Sequence, residues 1–92
     1  MKIEVVRDLV SERTRQEMLK AEGRFEFTCA DDGLTSAQKF LILSEEVGEV
    51  AREVLGQERL ARDTLGTTEA LYKELTQVAA VAVAWMESLL RK

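Results

Sequence analysis

The stretch that decides the fold is V-A-A-V-A-V-A-W-M, residues 78 to 86, in which every residue is apolar. It lies inside a helical stripe from Leu71 to Leu89, which predicts a helix over about residues 68 to 91. Because this helix is apolar around its whole girth, it needs neighbours on more than one side. Its many alanines permit close helix approach, which indicates a subunit interface built around the segment.

A second helix is predicted upstream, over about residues 36 to 55. Thr35 and Gln38 match a capping box, in which the two side chains satisfy free backbone amides. Gly56 is placed to end the helix in a left-handed cap. The apolar positions recur at alternating spacings of three and four: Phe40, Leu43, Val47, Val50 and Val54.

The remaining segments complete the predicted fold. Residues 3 to 21 carry a roughly helical pattern that becomes more polar, and they predict a first helix. The stretch after it is too short to demand a strand and is expected to be a loop. Residues 57 to 66 are expected to form a polar connection closed by Gly66, after which Thr67 or Thr68 caps the third helix.

Length and composition predict one small all-α helical bundle, a single domain over residues 1 to 92. Hydrophobic residues make up 46% and charged residues 33% of the chain, and proline is absent, a balance that excludes disordered and collagen-like classes. A core of this size supplies little net stability, so small helical chains often associate. A homodimer or homotetramer is expected.

Several function classes are excluded by composition. The net charge is −4 with scattered basic residues, so no nucleic-acid partner is expected. The chain has no histidine and one cysteine, Cys29, which leaves no Ser-His-Asp system and no His/Cys zinc site within one chain. Any metal must then be a hard cation held by oxygen. A lone cysteine and the lack of a long apolar run favour a cytoplasmic chain without a membrane partner.

Acidic residues are concentrated on the second helix, and one lies on the third. Clusters of this kind usually form a solvated face, but their rotational positions favour another interpretation. At about 100° per residue, Glu46 lies roughly 70° and Glu49 roughly 130° from the centre of their stripe. Glu74 and Gln77 lie roughly 60° and 120° from the centre of theirs, in the same sense. Glu46 and Glu49 thus form a ridge at the edge of one stripe, and Glu74 and Gln77 form a ridge at the edge of the other. Antiparallel packing of the two helices then brings both ridges into one groove.

Three carboxylates converging beside an apolar interface would repel one another unless a cation neutralised them. Glu46, Glu49 and Glu74 therefore predict a Mg²⁺ or Mn²⁺ site. Magnesium takes a few carboxylates, keeps waters and commonly bridges to substrate phosphates, so a phosphate-handling enzyme is implied.

The segments S-E-E-V-G-E-V-A-R-E-V at 44 to 54 and Y-K-E-L-T-Q-V-A-A-V-A-V-A-W at 72 to 85 resemble the two metal-binding motifs of the MazG-like all-α nucleoside triphosphate pyrophosphohydrolases. That family pairs an E-x-x-E helix with an E-x-x-D helix on a bundle of two or more subunits. The resemblance implies Mg²⁺-dependent cleavage of a nucleoside triphosphate to monophosphate and pyrophosphate. It places Glu46 and Glu49 in the first pair and Glu74 first in the second.

Gln77 departs from the pattern, because it stands where the family has Asp and its amide oxygen is a weaker ligand for a hard cation. Glu45 or Glu53 can compensate, or Gln77 can hold a metal-bound water. The alternative is a non-catalytic MazG-like module that binds a nucleotide or a protein partner. In that case, Gln77 in place of Asp reflects the loss of catalytic activity. In the catalytic interpretation, Glu46 or Glu49 accepts the proton of the attacking water.

Four further side chains are candidates for contacting the substrate. Lys39 lies on the same ridge as Glu46 and is a candidate for binding phosphate, or else pairs with a neighbouring Glu. Lys73 is a weaker candidate, with a solvated surface role as the alternative. Phe25 and Phe27 either cover a nucleotide base or close over the core.

Overall fold

The computed structural model describes residues 1 to 58 and 67 to 91, and these ranges contain three α-helices and no β-strand. Helix α1 spans Ile3–Ala21, α2 spans Ser36–Glu58 and α3 spans Thr68–Leu90. The all-α prediction is confirmed for this part of the chain. No helix in it is long and apolar enough to cross a membrane. The polar connection predicted up to Gly66 falls almost entirely outside the described ranges.

The helix ends follow local side-chain chemistry. The capping box is confirmed: Gln38 N–H donates to Thr35 Oγ1 at 3.1 Å, and Thr35 N–H donates to Gln38 Oε1 at 2.8 Å. Thr67 caps α3 by accepting from the Ala70 amide at 3.0 Å. The predicted stop at Gly56 is wrong, because α2 continues two residues further to Glu58.

Helix α1 ends in a Schellman motif. Gly23 has a φ of 79°, in the left-handed region that glycine adopts without a Cβ penalty. Its amide donates to the Lys20 carbonyl at 3.0 Å, and the Arg24 amide donates to the Leu19 carbonyl at 2.8 Å. The chain is thereby turned into the loop that leads to α2.

Helix α3 packs against both α1 and α2, whereas the backbones of α1 and α2 stay apart within the described ranges. Asp8 on α1 accepts from the Tyr72 hydroxyl, and Arg13 pairs with Glu87 at 2.6 Å, so α1 and α3 run in the same direction. Lys39, near the start of α2, donates to Ser88 at the end of α3, so these two helices are antiparallel. The apolar α3 therefore has a neighbour on each of two sides, as its sequence requires.

The face that α2 turns inward is rotated from the predicted stripe. Phe40 and Val47 are 58% and 51% exposed, whereas Lys39 and Glu53 are 4% and 6% exposed. Leu43 and Val50 are half-buried. At about 100° per residue, the inward face is turned by roughly 70° towards the acidic ridge. The apolar stripes of α2 and α3 therefore do not face each other. The side of α2 that packs against α3 is instead the edge that carries the polar residues of α2.

Residues 22 to 35, between α1 and α2, are held by buried and half-buried polar contacts. Lys20 Nζ lies 2.5 Å from Asp31 Oδ1, and the Thr28 amide donates to Asp31 Oδ2 at 3.1 Å. Burial acting alone would raise the pKa of Asp31, but these two hydrogen bonds outweigh it and the pKa is lowered.

The lowered pKa of Asp31 predicts acid sensitivity. Its stabilising contribution is present above the unfolded pKa, near the ordinary 3.8, and is lost as the pH falls through the lower folded value. Asp31→Asn is therefore expected to lower the melting temperature at pH 6 and to reduce the further loss between pH 6 and strongly acidic solution. Thermal melts across that range measure it, with Glu26→Gln on the same loop as control. Equal acid-induced losses in wild type and Asp31→Asn would contradict the assignment.

Candidate active site

A groove runs over α3 between α1 and α2, and residues of the preceding loop close it at one end. It forms a pocket of about 450 Å³. Apolar and polar side chains share its wall, which suits a ligand with a flat ring and a charged group. The lining residues are Glu12, Arg15, Gln16, Phe25, Phe27, Thr28, Cys29, Ile42, Glu45, Glu46, Gln77 and Val81.

Glu46 is half-buried on the α2 side of this pocket. Burial is the largest cause that raises the pKa of its carboxyl, followed by the negative charges of Glu74 and Glu49 and then those of Glu12 and Glu45. A half-buried carboxylate among like charges is costly to keep ionised. Gln77 of α3 also lies in the pocket wall, so the groove receives one residue from each of the two predicted ridges.

Glu74, on α3, contributes the strongest of the neighbouring charges that act on Glu46. Its Oε2 atom is buried and has no hydrogen-bond partner within the described part of the chain. An unsatisfied buried carboxylate oxygen is destabilising by about 1 to 3 kcal/mol or more, so a native structure normally supplies a partner. A bound cation beside Glu46 would supply one.

Glu49 occupies a different environment. Its side chain is 50% exposed and lies 3.7 Å from Arg52, the intrahelical ion pair that the spacing of these residues allows. Glu49 does not line the pocket, although its negative charge contributes to the raised pKa of Glu46. Across residues 1 to 58 and 67 to 91, no group of three or more Asp, Glu or Cys side chains is arranged to hold one ion. The predicted trio is therefore not arranged as one ion site in the described ranges, although the charges of Glu74 and Glu49 both act on Glu46.

The two predicted phosphate-binding lysines lie outside the pocket wall. Lys39 is 4% exposed, and its ammonium donates to Ser88 Oγ at 2.8 Å in the interface between α2 and α3. Lys73 is exposed and lines a shallow depression on the side of α1 and α3, with Tyr72. The basic group that does line the pocket is Arg15.

Three pocket residues from α1 escaped the sequence analysis. Glu12 and Arg15 form an ion pair at 2.8 Å, and Gln16 is 7% exposed beside them. The clue in the sequence was the change of the α1 pattern to polar residues after Val10, which marks the half of the helix that borders the groove. Helical periodicity gives the direction of a side chain on its own helix, but not the neighbouring element that it meets.

Phe25 and Phe27 both line the pocket and are 39% and 41% exposed. They therefore keep ring surface available at the loop end of the groove. Cys29 beside them is buried, and burial raises the pKa of its thiol, so the thiolate form is disfavoured. The cysteine contributes an apolar wall.

No protein-family model matches the chain, and neither a curated protein nor a solved structure matches it.

Proposed function

We propose that the chain is a Mg²⁺-dependent nucleoside triphosphate pyrophosphohydrolase of the MazG-like type, acting as a homo-oligomer and releasing nucleoside monophosphate and pyrophosphate. The observation that carries the proposal is the buried carboxylate oxygen of Glu74, which has no hydrogen-bond partner in the described ranges. Glu74 is also the neighbouring charge that acts most strongly on Glu46 in the pocket wall. Aromatic rings at the other end of the same pocket supply a surface for a base.

The donor set suits magnesium. Mg²⁺ is commonly held by one or two carboxylates together with waters and substrate phosphates, so a preassembled cage of three carboxylates is not required. Glu46 and Glu74 are the carboxylates that would hold the ion, with the Gln77 amide available to a metal-bound water. Bound Mg²⁺ would neutralise charge on the phosphate oxygens and would orient the phosphates for attack at the α-phosphorus.

The chain's own residues supply binding and proton transfer. Phe25 and Phe27 cover the base, and the Arg15 guanidinium in the pocket wall contacts phosphate oxygens. A carboxylate oxygen of Glu46 takes the proton from the water that attacks the α-phosphorus. The bond from that phosphorus to the bridging oxygen breaks, and pyrophosphate leaves.

Gln77 supports the second function, a non-catalytic module that binds a nucleotide or a protein partner. It lies in the pocket wall where the resembled family has a carboxylate, so the site has one negative charge fewer. Gln77→Asp separates the two functions. A large gain in metal affinity or turnover favours the degenerate module, whereas a loss of turnover favours a working site in which the amide has a role.

Metal binding tests the site separately from the reaction. Mn²⁺ titration followed by electron paramagnetic resonance is expected to show binding to the wild type that weakens at least tenfold in Glu74→Gln. The reason is that the substitution removes the neighbouring negative charge that acts most strongly on Glu46. Glu69→Gln, an exposed carboxylate in the first turn of the same helix, is the matched control. Equal Mn²⁺ affinities in the wild type and Glu74→Gln would contradict the metal site.

A further inference from the structure

Between Ser36 and Leu55, the outer face of α2 is exposed, contains no charged residue and has no neighbour within the described chain. At about 100° per residue it covers an arc of roughly 140°, on the side away from α3. The exposed fractions of its large residues are high, from 38% for Val54 to 62% for Leu41. A continuous apolar patch of this kind marks an interaction surface. The face consists of Ser36, Ala37, Phe40, Leu41, Ser44, Val47, Gly48, Ala51, Val54 and Leu55, all of them exposed.

Gly48 lies in the middle of this face. A glycine inside a helix is about 1 kcal/mol less favourable than alanine. A Cβ at position 48 would meet nothing within 4 Å in the single chain, so packing inside the chain does not require the glycine. An atom of another molecule lying close to the α2 backbone would require it.

We infer that the outer face of α2 packs antiparallel against the same face of a second copy of this chain, about a twofold axis between Val47 and Gly48. The sequence is complementary to itself in this register, because large residues meet large ones at the ends and smaller residues meet near the axis. At the two ends, Phe40 and Leu41 of one copy meet Val54 and Leu55 of the other. Nearer the axis Ser44 meets Ala51, and at the axis Val47 and Gly48 each meet their own symmetry mates.

Polar groups and charges fit a second copy of the chain. Ser44 Oγ donates to the Phe40 carbonyl at 2.9 Å, so its hydroxyl already has a partner when the face is covered. In a twofold contact the residues at the axis lie near their own symmetry mates, which favours an uncharged centre. Along one border of the face, the same register brings Arg52 of each copy towards Glu45 of the partner subunit. The present pair between Arg52 and Glu49 is exposed and 3.7 Å long, so it holds the guanidinium weakly.

This inference rests on the homo-oligomer of the proposed function but does not depend on hydrolysis. The molecular mass in solution therefore tests it independently of activity. Sedimentation velocity of the wild type is expected to give at least a dimer. Val47→Glu places two carboxylates together at the axis and is expected to weaken association at least a hundredfold, giving monomers. Met18→Glu, at an apolar position of comparable exposure on α1, is expected to keep the wild-type mass. A monomeric wild type, or a Val47→Glu protein that still associates, overturns the inference.

Cross-linking tests the register. Phe40→Cys and Leu55→Cys, mixed and mildly oxidised, are expected to form a covalent heterodimer, because antiparallel pairing brings position 40 of one copy to position 55 of the other. Each variant oxidised alone is expected to stay uncrosslinked. Native Cys29 is 3% exposed and supplies an internal control in the wild type. Cross-linking of Phe40→Cys alone, or none in the mixture, contradicts the antiparallel register.

Discussion

Glu46→Gln is expected to lower nucleoside triphosphate turnover at least a hundredfold while the helical fold stays intact. The substitution preserves the size of the side chain but removes both the base and a negative charge beside the phosphates. Loss of a positioned general base typically reduces a rate by about 10² to 10⁴. Steady-state kinetics measure the effect, and circular dichroism confirms the fold.

The thermal stability of Glu46→Gln is expected to stay the same or to rise, although its turnover falls. Burial and the charges of Glu74 and Glu49 raise the pKa of Glu46, so the native state holds its ionised carboxylate at a cost. Neutral glutamine relieves that repulsion, and the melting temperature of Glu46→Gln is expected to equal or exceed that of wild type in metal-free buffer. Glu4→Gln, an exposed change in the first turn of α1, is the control. Turnover within threefold of wild type in Glu46→Gln would remove this residue from the catalytic site.

Ser88→Ala is expected to cause the largest loss of stability among the substitutions considered. Ser88 is 0% exposed, and its Oγ accepts a 2.8 Å hydrogen bond from the buried ammonium of Lys39. Removing that acceptor leaves a buried charge without its partner, which is destabilising by about 3 kcal/mol. In a domain of this size the melting temperature falls by roughly 10 °C or more. Thermal melts measure the change.

A double variant separates the hydrogen bond from general packing. Lys39→Met together with Ser88→Ala replaces both partners by apolar groups, and such replacements are often nearly neutral. The double variant is therefore expected to recover most of the stability lost in Ser88→Ala. Ser11→Ala, an exposed serine on α1, is expected to change the melting temperature little. Equal stability of Ser88→Ala and wild type would show that Ser88 does not stabilise the lysine.

The sequence predicts the helices well because their ends are determined locally. The Thr35 and Gln38 capping box and the Thr67 cap act within four residues, and the structure shows each of the expected hydrogen bonds. The extent of α1, residues 3 to 21, is also confirmed. Gly56 misled the prediction, because a glycine near a helix end does not oblige the helix to stop there.

The rotation of α2 was not predictable from periodicity. Apolar residues occur on both of its sides, and the regular series of Phe40, Val47 and Val54 lies on the exposed one. The inward face includes Lys39, whose charge is accommodated by Ser88, a residue 49 positions away in the chain. Such a long-range partner has no local signature. The rotation places Glu46 in the pocket wall and leaves Glu49 half exposed.

The site was therefore predicted in part. Glu46 and Gln77 share the pocket wall, as their positions on antiparallel helices imply, and Glu74 acts on Glu46. The contribution of α1 was missed, because Arg15 reaches the groove only through the way that α1 packs on α3. The ligand set and the substrate stay predictions.

The most direct test of the proposed function is chromatography of the products formed by purified wild-type protein from a panel of ribo- and deoxynucleoside triphosphates with Mg²⁺. Monophosphate and pyrophosphate are scored separately from diphosphate and phosphate. The account predicts monophosphate and pyrophosphate in equal amounts from at least one substrate, with no product when the metal is chelated. No turnover across the panel with either Mg²⁺ or Mn²⁺, or release of diphosphate and phosphate, would contradict it.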